Sequence, residues 1–475
     1  MQTADLIIFI IFFTINLIIG IKARGKRQSF RDFAVGSKDF STGTLVATLV
    51  ATMASGSTLF NVVENTYNTG LYFALAILIG VPVGLLLTSY VIAPRMKSFL
   101  QHLTVADAMG AVYGKGVQSI AALSATLCSV GFIAIQFKVI STILIALFHL
   151  QGNTIIYITI FAAAMVTFYS AFGGVKAVTF TDIIQFITFG TLLPALALAI
   201  WNNIEEPRNI LSSLESNPNF SFKERWKWDA QFTTMLTFIF IFILEKASLA
   251  PEFFQRMAMA RDIKQVKSSI NGANMIFMFI LGFMMWIALL LFVANPAMKG
   301  SEVITYMIEE HTYVGLKGFL GVGIIALAMS TADSVLNSTA VTVTNDFLPN
   351  IKLIKQPSTE VASRSTFVIG AAATILALSI QNILSILLLC ATLYMPIITA
   401  PILLTIFGFR TSTRVIYIAM GAGIITTVIL MLFFPDVNNF FPGIFTNLIF
   451  LLGSHYLLGE KGGWGKHAKD ASAND

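Results

Sequence analysis

Charged residues are scarce in this chain. Asp, Glu, Lys and Arg make up only 11% of its 475 residues, whereas an ordinary water-soluble domain contains about 25%. The hydrophobic share is 56% and the mean hydropathy is +0.80. This balance predicts a membrane protein, with the lipid bilayer as a partner and no nucleic-acid partner.

Cysteine and histidine are also rare. The two cysteines, Cys128 and Cys390, both fall in apolar segments, so they imply neither a disulfide framework nor a metal site. The five histidines are scattered near the ends of apolar segments and lack the spacing of a zinc or haem site. No histidine–carboxylate cluster and no pair of nucleophile and base occurs within these segments. We therefore expect no catalytic residues, no organic cofactor and no enzyme activity.

Long apolar runs, in contrast, are abundant. Runs of about 18 residues or more are candidate membrane-spanning helices. They predict an all-α integral membrane protein with 13 transmembrane helices, numbered here as spans 1 to 13, near residues 4–22, 42–64, 70–94, 118–148, 153–172, 178–200, 232–254, 270–294, 317–344, 365–382, 385–408, 414–434 and 440–458.

The distribution of basic residues predicts the orientation. Span 1 is followed by Lys22, Arg24, Lys26 and Arg27, the reverse of the order in a cleaved signal peptide. With the N-terminus outside, 22 of the 30 Lys and Arg residues fall in cytoplasmic segments and six in outside loops. This asymmetry fits the positive-inside rule. We expect one transporter domain over 1–475 with a short cytoplasmic tail at about 459–475.

Polar or helix-breaking residues interrupt spans 2 and 7. Span 2 contains the small, polar stretch 52–58, and span 7 contains the stretch 245–251, which ends at Pro251. Each of these spans opens a block of five helices, 42–200 and 232–408. Paired interruptions in matching places are typical of transporters built from inverted repeats. The alternative is that Gly and Pro occur in membrane helices without any function.

Span 9 carries the densest group of polar residues. Ser330, Ser334 and Asn337 share one helical face, and Thr331 lies beside Ser330. Hydroxyl groups inside a membrane need partners within the protein. One interpretation is a cation site. The other is contact between helices, because Ser and Thr often bond to backbone carbonyls there.

Several motifs occur between residues 33 and 337. They are Phe33-Ala34-Val35-Gly36, Gly173-Gly174-x-x-Ala177-Val178-x-x-Thr181-Asp182-x-x-Gln185, Pro251-x-x-x-Gln255-Arg256 with Ala260-Arg261-Asp262, and Met329-Ser330-Thr331-Ala332-Asp333-Ser334-x-Leu336-Asn337. Together, and in this order, they resemble the sodium/solute symporter family, which includes sodium/proline, sodium/pantothenate, sodium/sialic acid and sodium/glucose transporters.

The resemblance implies a leucine-transporter-like five-plus-five inverted repeat, spans 2–6 and 7–11, with one extra helix before it and two after it. It also implies a sodium site between spans 2 and 9, with Asp182 either behind that site or at a second sodium. Relatives with two sodium ions carry a hydroxyl where this chain has Leu327, so one sodium is expected. The implied ligands are the Ser330 and Thr331 hydroxyls and the backbone carbonyls near Met53, Gly56 and Leu327.

The resemblance also implies a solute site in the middle of the membrane. Sodium/proline relatives carry an Asp where this chain has Ser55, which weakens a proline assignment. Lys138 or Lys246 would bind a solute carboxylate, Lys138 would pair with Glu245, or the lysines would extend to the membrane surface. The candidate solute-binding residues are Ser57, Thr58, Tyr72, Phe73, Gln136, Lys138, Glu245, Lys246, Ser248 and Tyr394.

The predicted function is sodium-coupled import of a small organic solute by alternating access. An amino acid or carboxylate is favoured, proline is possible, and the expected location is a bacterial inner membrane. Within the same fold, the alternatives are a sugar or another solute, proton coupling, and a receptor that does not transport. The sequence predicts neither the solute nor the oligomeric state.

Overall fold

The computed structural model describes residues 3–22, 29–204, 209–220, 228–379, 383–434 and 440–464. Within these ranges every regular element is a helix, apart from one isolated β-bridge between Arg410 and Gly463. Arg24, Lys26 and Arg27, which contributed to the predicted orientation, lie outside the described residues. So do residues 205–208 and 221–227 of the longest outside loop and 465–475 of the predicted tail.

Most of the chain forms long apolar helices. Nine described helices are long and apolar enough to cross a membrane, and one bent pair of helices qualifies as a tenth crossing. Each of the 13 predicted spans overlaps a described helix. The helices are α1 (Thr3–Lys22), α2 (Thr42–Met53), α3 (Gly56–Thr69), α4 (Leu71–Leu87), α5 (Lys115–Phe148), α6 (Thr154–Asn202), α7 (Ala230–Ala247), α8 (Pro251–Ala258), α9 (Ile263–Ala294), α10 (Leu316–Thr342), α11 (Thr359–Ser379), α12 (Ile383–Ile406), α13 (Thr413–Phe433) and α14 (Phe440–Leu457).

Shorter elements connect these helices. A π-helical turn, Thr88–Ile92, and a 3₁₀ turn, Ala93–Arg95, continue α4, and a second π-helical turn, Val343–Phe347, continues α10. The remaining short elements lie between the long helices. They are Phe30–Val35, Phe99–Gln101, Val105–Tyr113, Ile210–Glu215, Gly300–Glu302 and Val303–Glu310.

The interruptions predicted in spans 2 and 7 are present. α2 and α3 meet at an angle of 56° across Ala54 and Ser55. The Ser55 side chain accepts a hydrogen bond from the backbone N–H of Thr58 and so caps α3. α7 and α8 are separated by three residues that include Leu249, which has φ +56°, and Pro251 then begins α8. Proline suits the first position of a helix because that position needs no N–H donor.

α6 contains a third break, at Gly174. This residue has φ +59° and ψ −167° within an otherwise helical segment. A Cβ at Gly174 would lie 2.7 Å from Cδ2 of Phe33. The positive φ and this close approach both require glycine. The glycine pair of the family-like motif therefore marks a sharp bend between the halves of α6.

α10 lies at the centre of the protein. In its span 94% of the residues are buried, compared with 11% for α7. It contacts α2, α3, α5, α6 and α8. Because Ser330 through Thr342 are all buried, their polar groups cannot be hydrated by bulk water and must find partners in the protein.

A histidine–carboxylate pair lies at the start of the short helix Val105–Tyr113. Nδ1 of His102 is 3.1 Å from Oδ2 of Asp107, and this hydrogen bond raises the pKa of His102 above its ordinary value. A histidine whose pKa is higher in the folded state than in the unfolded state stabilises the fold when it is protonated. This stabilisation is complete below the unfolded-state pKa and is lost as the pH rises through the folded-state pKa. We therefore expect the thermal unfolding midpoint of the wild type to fall relative to that of His102→Gln as the pH rises from about 5.5 to about 8, a range around the ordinary histidine pKa of about 6.5. Parallel pH profiles of the two proteins would contradict this expectation.

Candidate functional site

Two hydroxyls of α10 meet the carbonyl end of α2. Oγ of Ser330 is 2.8 Å from the Ala51 carbonyl oxygen and 3.0 Å from that of Leu327. Oγ1 of Thr331 is 3.2 Å from the Thr52 carbonyl oxygen and 3.4 Å from that of Leu327. The last carbonyls of a helix have no intrahelical partner, and α2 ends at Met53. Five neutral oxygens therefore converge at this junction in the protein interior.

The structure brings three of the five predicted sodium ligands together, Leu327, Ser330 and Thr331. In α2 the facing carbonyls belong to Ala51 and Thr52, one and two residues before the predicted Met53. The Met53 carbonyl instead accepts hydrogen bonds from Ser55 N at 3.1 Å and Thr58 Oγ1 at 3.4 Å. The sequence could have identified this shift, because a break at residue 54 leaves the carbonyls of the preceding turn free.

Gly56 contributes close packing. A Cβ at this position would lie 3.0 Å from Cβ of Ala328 and 2.7 Å from Cγ1 of Val139. Both distances are shorter than ordinary contacts between carbon atoms. Glycine therefore allows α3 to approach α10 and α5 directly beside the oxygen cluster, whichever carbonyls bind an ion.

A buried arginine lies one turn along α10 from this cluster. The Arg256 side chain is fully buried, and its Nη2 donates to Oγ of Ser334 at 2.6 Å and lies 3.5 Å from Oδ2 of Asp182. Its Nε donates to Oγ1 of Thr48 at 2.9 Å. The Thr48 hydroxyl also donates to Asp182. Arg256 on α8 thus joins α2, α6 and α10 through charge-assisted hydrogen bonds.

Further hydrogen bonds connect the arginine cluster with its surroundings. The Thr52 and Ser334 hydroxyl oxygens lie 3.1 Å apart, which links the cluster to the end of α2. Gln255 donates to Oδ1 of Asn337 at 2.9 Å and to the Ala34 carbonyl at 2.7 Å. The polar face predicted on span 9 is therefore divided, with the Ser330 end facing carbonyls and the Ser334–Asn337 end facing α8.

Arg256 is the main residue whose role sequence reasoning missed. In the sequence it stands only as part of the motif Pro251-x-x-x-Gln255-Arg256. Asp182, in contrast, was expected near a sodium ion, and the structure gives it a guanidinium partner. A fully buried arginine requires a buried anion, so the available signal was an arginine two residues after predicted span 7 together with an acid inside predicted span 6.

Three of the predicted solute-binding residues, buried Ser57 and Gln136 and partly buried Thr58, form one cluster beside the break in span 2. Nε2 of Gln136 donates to Oγ of Ser57 at 3.1 Å. The Ser55 hydroxyl lies 2.9 Å from that of Ser57 and 2.7 Å from that of Thr58. Oε1 of Gln136 is buried and has no hydrogen-bond partner in the part of the chain that the structure describes. This oxygen is available to accept a hydrogen bond from a solute.

Two more candidates lie at the break in span 7. The Tyr394 hydroxyl donates to the Leu249 carbonyl at 3.1 Å, and the Ser248 hydroxyl donates to the Glu245 carbonyl at 2.7 Å. Ser248 therefore bonds to the last turn of α7, and Tyr394 of α12 holds the nonhelical residue between α7 and α8. Both contacts lie at the interruption of span 7.

Tyr72 and Phe73 lie apart from these clusters. The Tyr72 hydroxyl lies 3.3 Å from Oδ1 of Asp229, the residue that caps the start of α7. The Phe73 ring packs edge-on against Phe238 and Phe242 of α7, with centroid distances of 5.8 and 6.1 Å. Their described contacts bind α4 to α7.

The predicted pair between Lys138 and Glu245 is wrong. Glu245 pairs with its neighbour Lys246 instead, with 2.8 Å between Oε1 and Nζ. Consecutive residues in an α-helix are rotated by about 100°. Lys138 is two residues after Gln136, so the two side chains lie on nearly opposite faces of α5. Lys138 is half-buried and forms no ion pair among the described residues. The structure therefore separates Lys138 from the cluster that contains Gln136.

Another acid near the broken helix was absent from the sequence predictions. Glu252 is the second residue of α8, three residues after Leu249, whose carbonyl accepts the Tyr394 hydrogen bond. It forms no ion pair with any described residue. An acid directly after the proline of an interrupted span was the available signal.

This architecture is that of a membrane transporter with broken helices. Long apolar helices surround two interrupted spans, and oxygens converge at the first interruption. The model of the sodium:solute symporter family matches residues 33–425. The chain belongs to this family, as the motifs indicated. The family consists of transporters, so the prediction of a nonenzymatic membrane protein is confirmed.

Related proteins agree with this assignment. The chain is 22% identical over 372 residues to a Drosophila melanogaster protein described as a sodium-dependent multivitamin transporter. That match covers 72% of this chain, which spans 59% of the relative's length.

Solved structures show the same fold. A Na⁺-coupled sialic acid symporter in a substrate-bound, outward-open state has a TM-score of 0.85 at 17% identity and covers 98% of this chain and 99% of its own. MhsT in complex with L-phenylalanine has a TM-score of 0.55 at 14% identity, with 88% of this chain and 99% of MhsT covered. At these identities the structural likeness concerns the fold.

Proposed function

We propose that this protein is a sodium-coupled symporter that imports a small organic solute by alternating access. The observation that carries the proposal is the convergence of the Ser330 and Thr331 hydroxyls with three backbone carbonyls between α2 and α10. Family membership supports the same function.

The chemistry of these five oxygens suits sodium. They are uncharged, whereas calcium sites usually include several carboxylates. Two of the three carbonyls, those of Ala51 and Thr52, belong to the C-terminal end of α2, where the helix dipole favours a cation. A bound ion would take the carbonyl lone pairs that the hydroxyl protons now occupy, and the hydroxyl oxygens would turn towards the ion. Sodium bound there would hold α2 against α10.

One sodium per transport cycle follows from the surroundings of Asp182. Its carboxylate has Arg256 as a cationic partner and the Thr48 hydroxyl as a donor. A second cation beside Asp182 would lie next to the guanidinium and be repelled by it. We therefore assign Asp182 and Arg256 to the closure of the pathway between α2, α6, α8 and α10 on the cytoplasmic side.

The solute site lies between the breaks of spans 2 and 7. Ser57, Thr58 and Gln136 supply its polar groups on one side, and Tyr394 and Glu252 lie on the other. The amide oxygen of Gln136 has no partner among the described residues, and the Glu252 carboxylate forms no ion pair with any of them. Both acceptors favour a solute that carries hydrogen-bond donors. An amino acid, whose ammonium group would face these acceptors, is the solute class that fits best.

The complete topology is part of the proposal. α6 has 49 residues and would measure about 74 Å if straight, more than twice the hydrocarbon thickness of a bilayer. With its bend at Gly174 it provides two crossings. When α2–α3 and α7–α8 each count as one crossing and α6 counts as two, the long helices make 13 spans. We propose that these spans form a five-plus-five inverted repeat with the N-terminus outside, in a bacterial inner membrane.

Uptake into proteoliposomes tests the proposed function. The purified protein is reconstituted, and labelled amino acids, small carboxylates and sugars are offered with an inward gradient of either sodium or choline at fixed pH. We expect accumulation of an amino acid above its external concentration with sodium only. Equal accumulation with choline would refute sodium coupling. If no offered solute is taken up, or exchanged with unlabelled solute inside the vesicles, transport would be refuted.

Gln136→Leu tests the solute site. Removal of a hydrogen bond to a buried polar or charged group costs about 1–3 kcal/mol, so the solute concentration for half-maximal uptake should rise about tenfold to a hundredfold. The sodium dependence should remain. Thr142→Val is the matched control, because among the described residues its hydroxyl bonds to the Lys138 carbonyl of the same helix alone, at 2.9 Å. An unchanged half-maximal concentration in Gln136→Leu would remove this residue from the site.

A further inference from the structure

A basic groove lies where α4 and α9 reach the same surface of the membrane. Its volume is about 420 Å³. The end of span 3 forms one wall, and the first two turns of α9 form the other. The lining residues are Tyr90, Ile263, Lys264, Lys267, Ser268 and Asn271.

The groove has an ordered arrangement of polar groups. Nζ of Lys267 lies 4.9 Å from the centroid of the Tyr90 ring, a cation–π contact. Asn271 donates from Nδ2 to the Tyr90 hydroxyl at 3.0 Å. Oδ1 of Asn271 is buried without a partner among the described residues. These contacts fix the orientation of an aromatic ring that is itself 56% exposed.

The positive charge of the groove is not neutralised by the protein. Lys264 and Lys267 form no ion pair within the described ranges. The neighbouring acid, Asp262, caps the backbone of Gln265 at 2.7 Å and pairs with Arg261 at 3.8 Å. Two lysines and the N-terminus of a 32-residue helix thus face one concavity.

An apolar track continues from this groove along the same two helices. The exposed side chains of α4 recur every three or four residues up to Tyr90, and those of α9 recur likewise after Asn271. The members of the track are Val83, Leu86, Leu87, Met275, Met278 and Phe279, which are 36% to 65% exposed. A molecule with an anionic head and long apolar chains matches both parts, whereas a small soluble anion would leave the track unused.

We propose that this groove binds the headgroup of an anionic phospholipid, with the lipid's acyl chains against α4 and α9. Basic pockets between helices at the cytoplasmic surface bind such headgroups, and the positive-inside distribution places this surface in the cytoplasmic leaflet. The bound lipid would bridge α4 and α9, the long helices that follow the two broken spans. The inference is independent of the solute that the protein carries.

Lipid binding to the full-length protein tests the proposal. Purified protein in detergent is titrated with phosphatidylglycerol or with phosphatidylcholine of the same chains, and retained lipid is counted by native mass spectrometry. We expect phosphatidylglycerol to be preferred. In the double variant Lys264→Gln, Lys267→Gln its affinity should fall about 30-fold, because each lysine near an anionic lipid contributes about 1 kcal/mol.

Three comparisons make the outcome decisive. Lys352→Gln with Lys355→Gln removes the same charge from another exposed loop and should retain the lipid, as should Lys264→Arg with Lys267→Arg. Equal binding of both lipids, or unchanged phosphatidylglycerol binding in the glutamine variant, would overturn the proposal. Displacement of the lipid by an equal concentration of inorganic phosphate would also overturn it, since the groove would then be an ion site.

Discussion

The double variant Ser330→Ala, Thr331→Ala is expected to lose sodium-stimulated solute uptake, with a fall of at least a hundredfold at sodium concentrations that saturate the wild type. Both side-chain oxygens of the proposed site are removed, and the three carbonyls alone leave the ion underliganded in a buried environment. Expression and the thermal unfolding midpoint without sodium should change little, because each hydroxyl makes only neutral hydrogen bonds. The measurement is initial uptake as a function of sodium concentration in proteoliposomes.

α10 itself offers a matched control for this experiment. Ser338 and Thr339 are an adjacent, equally buried hydroxyl pair two turns further along, and both bond back to the Val335 carbonyl, at 3.1 and 2.6 Å. Ser338→Ala with Thr339→Ala should keep normal sodium activation. Unchanged sodium activation in the Ser330 and Thr331 variant, or an equal loss in the control, would show that the hydroxyls of α10 act only in helix packing.

Arg256→Met is expected to have the second large effect. It leaves the Asp182 carboxylate fully buried without its cationic partner, and breaking a buried pair in this way typically costs about 3–5 kcal/mol. We expect a clear fall of the thermal unfolding midpoint together with loss of transport. Uptake assays and thermal unfolding of the purified variant measure both effects.

The Asp182–Arg256 pair can be tested by a double-mutant cycle. Asp182→Asn combined with Arg256→Met removes both charges and should regain most of the lost stability, because replacing a whole buried pair is often nearly neutral. Transport should remain impaired, since the link between α2, α6, α8 and α10 is still broken. If the two single effects simply add, the side chains do not act as a pair.

Much of the fold was readable from the sequence because a membrane imposes strong rules. Every backbone group in a bilayer must be paired, so long apolar runs become helices. Each predicted span overlaps a described helix, and the two interrupted spans are interrupted in the structure. The exact geometry of the breaks was less accessible. α2 ends at Met53, and the facing carbonyls are therefore those of Ala51 and Thr52 rather than that of Met53.

The site was predictable where the pattern was local and unpredictable where the pairing was distant. Ser330 and Thr331 are neighbours on one helix, so their meeting with a broken helix could be inferred. The partner of Asp182 is 74 residues away, and no periodicity connects the two. The alternative pairing of Lys138 with Glu245 failed for a similar reason, because the two residues lie on different helices and Glu245 pairs with its neighbour Lys246.

The most direct test of the central claim is equilibrium binding of radiolabelled sodium to the purified protein without solute. We expect saturable binding of one ion per chain, which is lost in the double variant Ser330→Ala, Thr331→Ala and kept in the control Ser338→Ala, Thr339→Ala. Undiminished saturable binding in the first variant would contradict a sodium site between α2 and α10.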